Sequence, residues 1–227
     1  MTTPTGHPFI KRDFKFTSSL WDVDTALTYI RLLSGNDGLS LKILKHKLSV
    51  LLALTAPKKT SELRLLDIRF MRILPEGVEF KLPGMTKTSS DIKTVFFARY
   101  EACEQLYVLH CLQSYLVRTK TFRPPCEVDT PNQLLISYHR PRHAVKSSSI
   151  ARWIKALLTS AGIDTGIFKS HSTRAASTSK ARESDLSLEE VLQMANWSGP
   201  SSFIRFYYRP SFADSYARAL LASSSHK

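Results

Sequence analysis

Cysteine is scarce in this chain, and its three positions, Cys103, Cys111 and Cys126, are an odd number without a CxxC pair. Nothing here supports a disulfide framework or a thiolate metal site, and a reducing, intracellular compartment is expected. Glycine and proline are also few, 8 and 11 in 227 residues, which excludes collagen-like and low-complexity chains. Long hydrophobic runs are missing. The longest, Leu48 to Leu54, is broken by Ser49 and is far shorter than the roughly 20 apolar residues a membrane-spanning helix needs. The N-terminal MTTPTGHPFIKRDFKF lacks the apolar centre of a secretory leader, so a soluble protein is expected. Neither a phosphate-binding glycine loop nor a zinc-ligand run occurs.

Negative charge is in deficit. Lys and Arg number 32 against 19 Asp and Glu, for a net charge of +13 and a pI near 9.8. Such an excess favours polyanionic partners, nucleic acid before acidic membrane surfaces, although ribosomal and heparin-binding proteins share it. What is present is an ordinary globular composition, 43% hydrophobic and 22% charged. The length suits one substantial domain with short extensions.

Residues 1–20 have no periodicity and read as an arm or linker. From Asp22 a helix carries Leu27, Ile30 and Leu32 and ends at the turn cluster Gly35 to Gly38. A second helix starts near Ser40. Its apolar stripe is Leu41, Leu44, Leu48, Leu51 and Leu52, with Lys42, Lys45 and Lys47 mostly off that face. Pro57 interrupts, and a short helix follows over Ser61 to Leu66. Alternation at Ile68, Phe70, Val78, Phe80, Leu82, Val95 and Phe97 then predicts three short antiparallel strands, the first two joined by a turn at Pro75, Glu76 and Gly77. Further helices are expected at Glu104 to Arg118, around Ile150 to Ala161 with Ser147 to Ser149 available as N-caps, at Ser170 to Arg182, at Ser187 to Ala195 with Asp185 or Ser187 as cap, and at Gly199 to Tyr208. Phe212, Tyr216 and Leu220 form one stripe of a C-terminal helix within 211–227.

The stretch HSTRAASTSKA followed by ANWSGPSSFIRFYYRP carries the chemistry. His171 and Arg174, three apart on a helix, share a face that meets a phosphate with two donors. Trp197, whose indole only donates, follows, and then the adjacent Tyr207 and Tyr208. Taken singly, each has a plain reading: a solvated helix face, core aromatics, a solvated hairpin lysine. The order in which they occur resembles the tyrosine recombinase (phage integrase) signature of His-x-x-Arg, then His or Trp, then a nucleophilic tyrosine. LLALTAPKKTSELRLLDI, LPGMTKT, HSTRAASTSKA and WSGPSSFIRFYYRP are also similar to the recombinases of DIRS-like and Ngaro-like retroelements. The resemblance covers about Leu20 to Pro210, so residues 21–210 are taken as the catalytic domain.

The resemblance implies a mainly helical fold with a small three-stranded antiparallel sheet. It places His171 and Arg174 in the second catalytic box, Trp197 at the His/Trp position, and Lys87 on a β-hairpin. It implies Tyr207 as nucleophile, with Tyr208 the competing choice. Lys59 stands where the first box usually has Arg, and Glu62 matches the acidic residue of that box. Lys58 is a second cation should the register slip by one. Arg grips phosphate with a planar bidentate fork, whereas Lys is a flexible point charge, so this departure bears on activity.

A pentavalent phosphoryl transition state carries more negative charge than its diester, and fixed cations and N–H donors stabilise the difference. Arg174, Lys59, His171 and Trp197 would supply them. His171 is the candidate base for a tyrosine of ordinary pKa near ~10, and Lys87 the candidate acid for the departing 5′-oxygen. A covalent 3′-phosphotyrosine conserves the bond energy, so no cofactor, ATP or metal is expected. Double-stranded DNA is the expected partner, with self-association on it, and the retroelement resemblance implies the nucleus. The C-terminal helix either exchanges between protomers or folds back on its own domain. The family's preceding core-binding domain finds no room here, so DNA affinity should be modest and salt-dependent. Two alternatives stand beside an active enzyme: a DNA-binding pseudoenzyme marked by Lys59, and a basic helical module binding RNA or a protein.

Overall fold

The computed structural model describes residues 20–82, 93–123, 130–140, 142–184 and 186–195. The N-terminal arm, the expected helix at Gly199 to Tyr208 and the C-terminal helix lie outside the described residues.

Helix α1 (Val23–Leu32) starts at Asp22, whose carboxylate accepts from the Asp24 N–H at 2.9 Å. This satisfies a donor that the first helical turn otherwise leaves orphaned. Its buried face is Val23, Ala26 and Ile30. Leu32, expected on that face, is 81% exposed; the three- and four-residue steps from Val23 reach Ile30 and not Leu32.

Helix α2 (Leu41–Thr55) is capped by Ser40, whose Oγ accepts from the Ile43 N–H at 3.3 Å. It is the axis of the fold, packed by α4 (Val108–Thr119), α5 (Ser147–Ser160) and α6 (Ser172–Glu183). Leu44, Leu48, Leu51 and Leu52 are buried as expected. Lys45 and Lys47, expected off the apolar face, are buried as well, and of the three lysines only Lys42 is exposed. With α4, α5 and α6 packed on it, α2 keeps only a narrow wet edge, so most of its polar positions also enter the interior. Lys47 is accommodated by donating to Asn36 Oδ1 at 2.8 Å. Truncating a stripe residue such as Leu48 to Ala would cost about 2–5 kcal/mol.

The sheet is β1 (Met71–Leu74), β2 (Gly77–Leu82) and β3 (Lys93–Ala98), antiparallel in that spatial order. Val78 pairs with Phe97 and Phe80 with Val95, and these four fill one face. Ile68 and Phe70, expected in the first strand, form instead a 3-10 turn at Ile68–Phe70. Asp67 causes this by accepting from the Arg69 N–H and side chain, which curls the chain before it can extend. Gly77 has a φ of 155°, and a Cβ there would lie 2.2 Å from the Phe97 carbonyl oxygen, so the turn after Pro75 requires glycine.

Between α2 and the sheet, α3 is a single turn over Thr60–Leu63. The serines before Ile150 do not cap α5 through their side chains; Lys146 holds the N-cap position. Helix α7 (Leu188–Ala195) opens with Ser187, whose Oγ accepts from the Glu190 N–H while the Glu190 carboxylate accepts from the Ser187 N–H at 2.7 Å. This reciprocal pair is a capping box. The first-turn hydrogen bonds hold the exposed Glu190 carboxyl below its ordinary pKa.

Candidate active site

At the C-terminal end of α2 the chain turns at Pro57 and delivers Lys58 and Lys59 to a cleft of 300 Å³, across which α6 brings His171 and Arg174. Ala53 and Ile154 supply its apolar wall, and among the described residues no carboxylate lines it. Residues far apart in the sequence therefore meet here. Of the six expected catalytic residues, Lys59, His171 and Arg174 share this cleft. Lys87, Trp197, Tyr207 and the competing Tyr208 lie outside the described residues.

His171 is the N-cap residue of α6, with helical backbone angles (φ −74°, ψ −19°), and Arg174 lies in the first turn. The one-turn relation expected of His-x-x-Arg holds, although His171 stands at the helix entrance and is exposed while Arg174 is only 7% exposed. The helix start is tethered from α1's side. The Trp21 indole N–H donates to Ser172 Oγ at 3.0 Å, and that hydroxyl donates to the Lys169 carbonyl at 2.7 Å. In the last turn of α6, Lys180 pairs with Asp24 of α1. Trp21 is not among the residues expected at the site; its only sequence signal is a large aromatic just before the Asp22 cap.

The two lysines behave differently. Lys59 is exposed and serves α3 through its backbone, whose N–H donates to Glu62 Oε2 at 2.7 Å. Glu62 thus acts as a helix-start acceptor. Lys58 is 6% exposed, and its ammonium donates to the Met194 carbonyl at 2.8 Å. Burial lowers its pKa, Glu62 opposes that, and the positive charges of Arg174 and Lys93 add to it. Arg174 donates to the Ala195 carbonyl. Both cations therefore sit on the last carbonyls of α7, at the negative end of its dipole. This gathers the positive charge of Lys58 and Arg174 beside the cleft that both residues line. Lys58, named from sequence only as the fallback to Lys59, is the buried cation of the pair.

An arrangement of two buried cations, an exposed lysine and a histidine, without a carboxylate among the described lining residues, suits a phosphate. Fixed positive charge of this kind is what stabilises a phosphoryl transition state.

No family model matches the chain, and no curated protein sequence matches it significantly. Solved structures do. The chain is similar to the XerA recombinase at 16% identity and a TM-score of 0.62, over 99% of this chain and 68% of that one. It is similar to the XerH site-specific recombinase bound to palindromic difH substrate in a post-cleavage complex, at 13% identity and a TM-score of 0.62, over 86% and 50%. It is also similar to the Tn1549 transposon integrase in complex with circular intermediate DNA, at 13% identity and a TM-score of 0.55, over 86% and 62%. The chain thus spans about half to two-thirds of the length of these proteins. Its fold is that of the tyrosine recombinase catalytic domain, mostly helical with a three-stranded antiparallel sheet.

Proposed function

We propose that this chain is the catalytic domain of a tyrosine recombinase that cleaves and rejoins duplex DNA through a covalent 3′-phosphotyrosine. The observation that carries this reading is the convergence of Lys58 and Lys59 with His171 and Arg174 on one cleft whose described lining holds no carboxylate. In the reaction, Tyr207 Oη attacks the scissile phosphorus as the bond to the 5′-oxygen breaks. His171 takes the tyrosine proton, and Lys87 gives one to the leaving oxygen. Arg174 and Lys58 neutralise the non-bridging oxygens, Trp197 donates to one of them, and Lys59 reaches the phosphate from the rim. Rejoining reverses these steps with a 5′-hydroxyl as nucleophile.

The sequence resemblance to DIRS-like and Ngaro-like retroelement recombinases supports a role in mobilising such an element in the nucleus, with self-association on DNA. The lysine at the first-box position favours, as the second reading, a DNA-binding protein of reduced activity. A nicked duplex that traps the covalent intermediate separates the two. Wild type is expected to form a protein–DNA adduct, mapped by peptide analysis to Tyr207, and Tyr207→Phe none. An adduct on Tyr208 would reassign the nucleophile, and duplex binding without any adduct would leave the second reading.

A further inference from the structure

The N-terminal half of α2 opens on a second cleft, of 470 Å³, bounded by residues 137–139 and 143–146 and by the first turns of α5. Its exposed charged side chains, Lys42, Lys146 and Arg152, are basic, His139 and His143 stand beside them, and again no carboxylate lines it among the described residues. Beneath these lies Lys45, 1% exposed, whose ammonium has no hydrogen-bond acceptor among the described residues. It is held between two rings, 4.0 Å from the centroid of Tyr138 and 4.0 Å from that of Trp153. Each ring also neighbours a histidine, with ring centroids 3.9 Å apart for Tyr138 and His139 and 6.4 Å for Trp153 and His46.

An ammonium in water satisfies three donors, and two π faces replace only part of that. As a space-filler Lys45 is therefore a poor choice, because an apolar side chain of the same shape would fit between the rings without the desolvation cost. A buried charge without a counter-ion, beneath a rim of further cations, attracts an anion, and does so strongly where water is excluded. Among the described residues that line this cleft, none carries the opposite sign to serve that purpose.

We propose that this cleft is a second phosphate-binding site, which takes a backbone phosphodiester of the duplex engaged at the first cleft. The rim cations meet the phosphate oxygens, and Lys45 adds its charge from between the rings. Lys45 and the end of α2 at Thr55 are ten residues apart in the helix, about 15 Å at 1.5 Å per residue. One duplex bridges such a distance, its major groove being about 12 Å wide. DNA as the source of the phosphate rests on the proposed function; the phosphate site itself does not.

Lys45→Met keeps the stem between the rings and removes the charge. The full chain, as wild type, Lys45→Met and the double variant Lys42→Ala/Arg152→Ala, is titrated with a short duplex over a range of salt, and its Tm is measured with and without millimolar inorganic phosphate. Lys45→Met is expected to raise Tm, yet to reduce the slope of log affinity against log salt by about one. The double variant should reduce it by about two. Phosphate should raise the wild-type Tm by more than that of Lys45→Met. Equal slopes and equal responses to phosphate in all three proteins overturn the site while leaving the recombinase reading intact. A phosphate response that depends on Lys45, in a protein that binds no duplex, supports the site but overturns DNA as its occupant, and with it the proposed function.

Discussion

The two ends of α2 each bury a lysine, and they do so on opposite terms. Beyond the C-terminal end, Lys58 donates to the carbonyl of Met194, and Arg174 joins it on the neighbouring carbonyl of Ala195. In the N-terminal half, Lys45 has two aromatic faces and, among the described residues, no acceptor. A charge on a helix terminus is fixed in place, as catalysis demands of groups that meet a developing charge. A charge between rings is held without being satisfied, which lowers the stability of the free protein and is offset when an anion binds. On the proposed reading the first cleft positions a phosphate and the second attracts one.

The largest effect that would break this contrast is on the chemistry. Arg174→Ala should slow single-turnover cleavage of a nicked duplex by about 10²–10³ or more, the loss seen when one transition-state donor is removed. Duplex affinity should fall far less, because the charges of the second cleft remain. If affinity collapsed in step with cleavage, Arg174 would be a binding residue and the division between the clefts would fail.

The next effect concerns pH. Burial, aided by the charge of Lys42, lowers the Lys45 pKa from 10.5 to about 8. Below pH 8 the lysine is protonated both folded and unfolded, and the penalty for burying its charge is present in full. Between about 8 and 10.5 the unfolded chain holds the proton and the folded chain does not, so stability rises with pH across this window. The rise is on the order of 3 kcal/mol for a shift of this size. The groups facing Lys45 are Lys42 and His46 on α2, Tyr138, His139, His143 and Lys146 on the adjoining segment, and Arg152 and Trp153 on α5. All of them remain in Lys45→Met, so the difference in unfolding free energy between the two proteins isolates Lys45. His46, held at about 4 by burial and by the charges of Lys45 and Lys42, contributes only at acid pH. A stability difference that stays flat from about pH 7 to 10.5 would show that Lys45 keeps its proton and that the rings satisfy it.

Lys58→Ala should destabilise by about 1.5–3 kcal/mol, the worth of a hydrogen bond from a charged group, since it removes the ammonium that donates to the Met194 carbonyl. Denaturant unfolding, reading the midpoint at unchanged m-value, checks this. Stability recovered in Lys58→Arg while cleavage stays reduced would place Lys58 among the phosphate ligands and not merely under α7; recovery of both together would make it a support of α7.

Much of this architecture is legible in the residues themselves. The caps at Asp22, Ser40 and Ser187 mark where α1, α2 and α7 begin, because a side-chain oxygen placed before an apolar period has few other uses. Val78, Phe80, Val95 and Phe97 alternate and form the buried face of the sheet. Periodicity misleads where an element has little wet surface: Lys45 and Lys47 look solvated only if α2 is taken for a surface helix. Ile68 and Phe70 alternate like a strand, but Asp67 binds its own chain two residues on. At the site, residue types and order point to His171, Arg174 and the first-box lysines. That Lys58 is buried while Lys59 is exposed depends on how Pro57 turns the chain toward α7, a tertiary relation that no local pattern encodes.

The smallest effect is expected at Lys59, and it tests how the two first-box lysines divide their work. Because Lys59 is exposed and caps α3 through its backbone N–H, Lys59→Ala and Lys59→Arg should leave the unfolding midpoint unchanged. In Lys59→Arg a planar guanidinium replaces a point charge at the rim, adding a directed hydrogen bond to the phosphate. Lys already supplies the charge, so the gain in single-turnover cleavage should be about tenfold or less, the worth of one ordinary hydrogen bond. Mispairing with Glu62 is the competing outcome, but that carboxylate already accepts from the Lys59 N–H at 2.7 Å and is held on the helix side of the residue. A gain in Lys59→Arg with a loss in Lys59→Ala makes Lys59 the first-box cation at the phosphate and Lys58 its buried support. Cleavage by Lys59→Ala equal to wild type transfers that role to Lys58, and the first box then reads one residue earlier than the sequence resemblance implies.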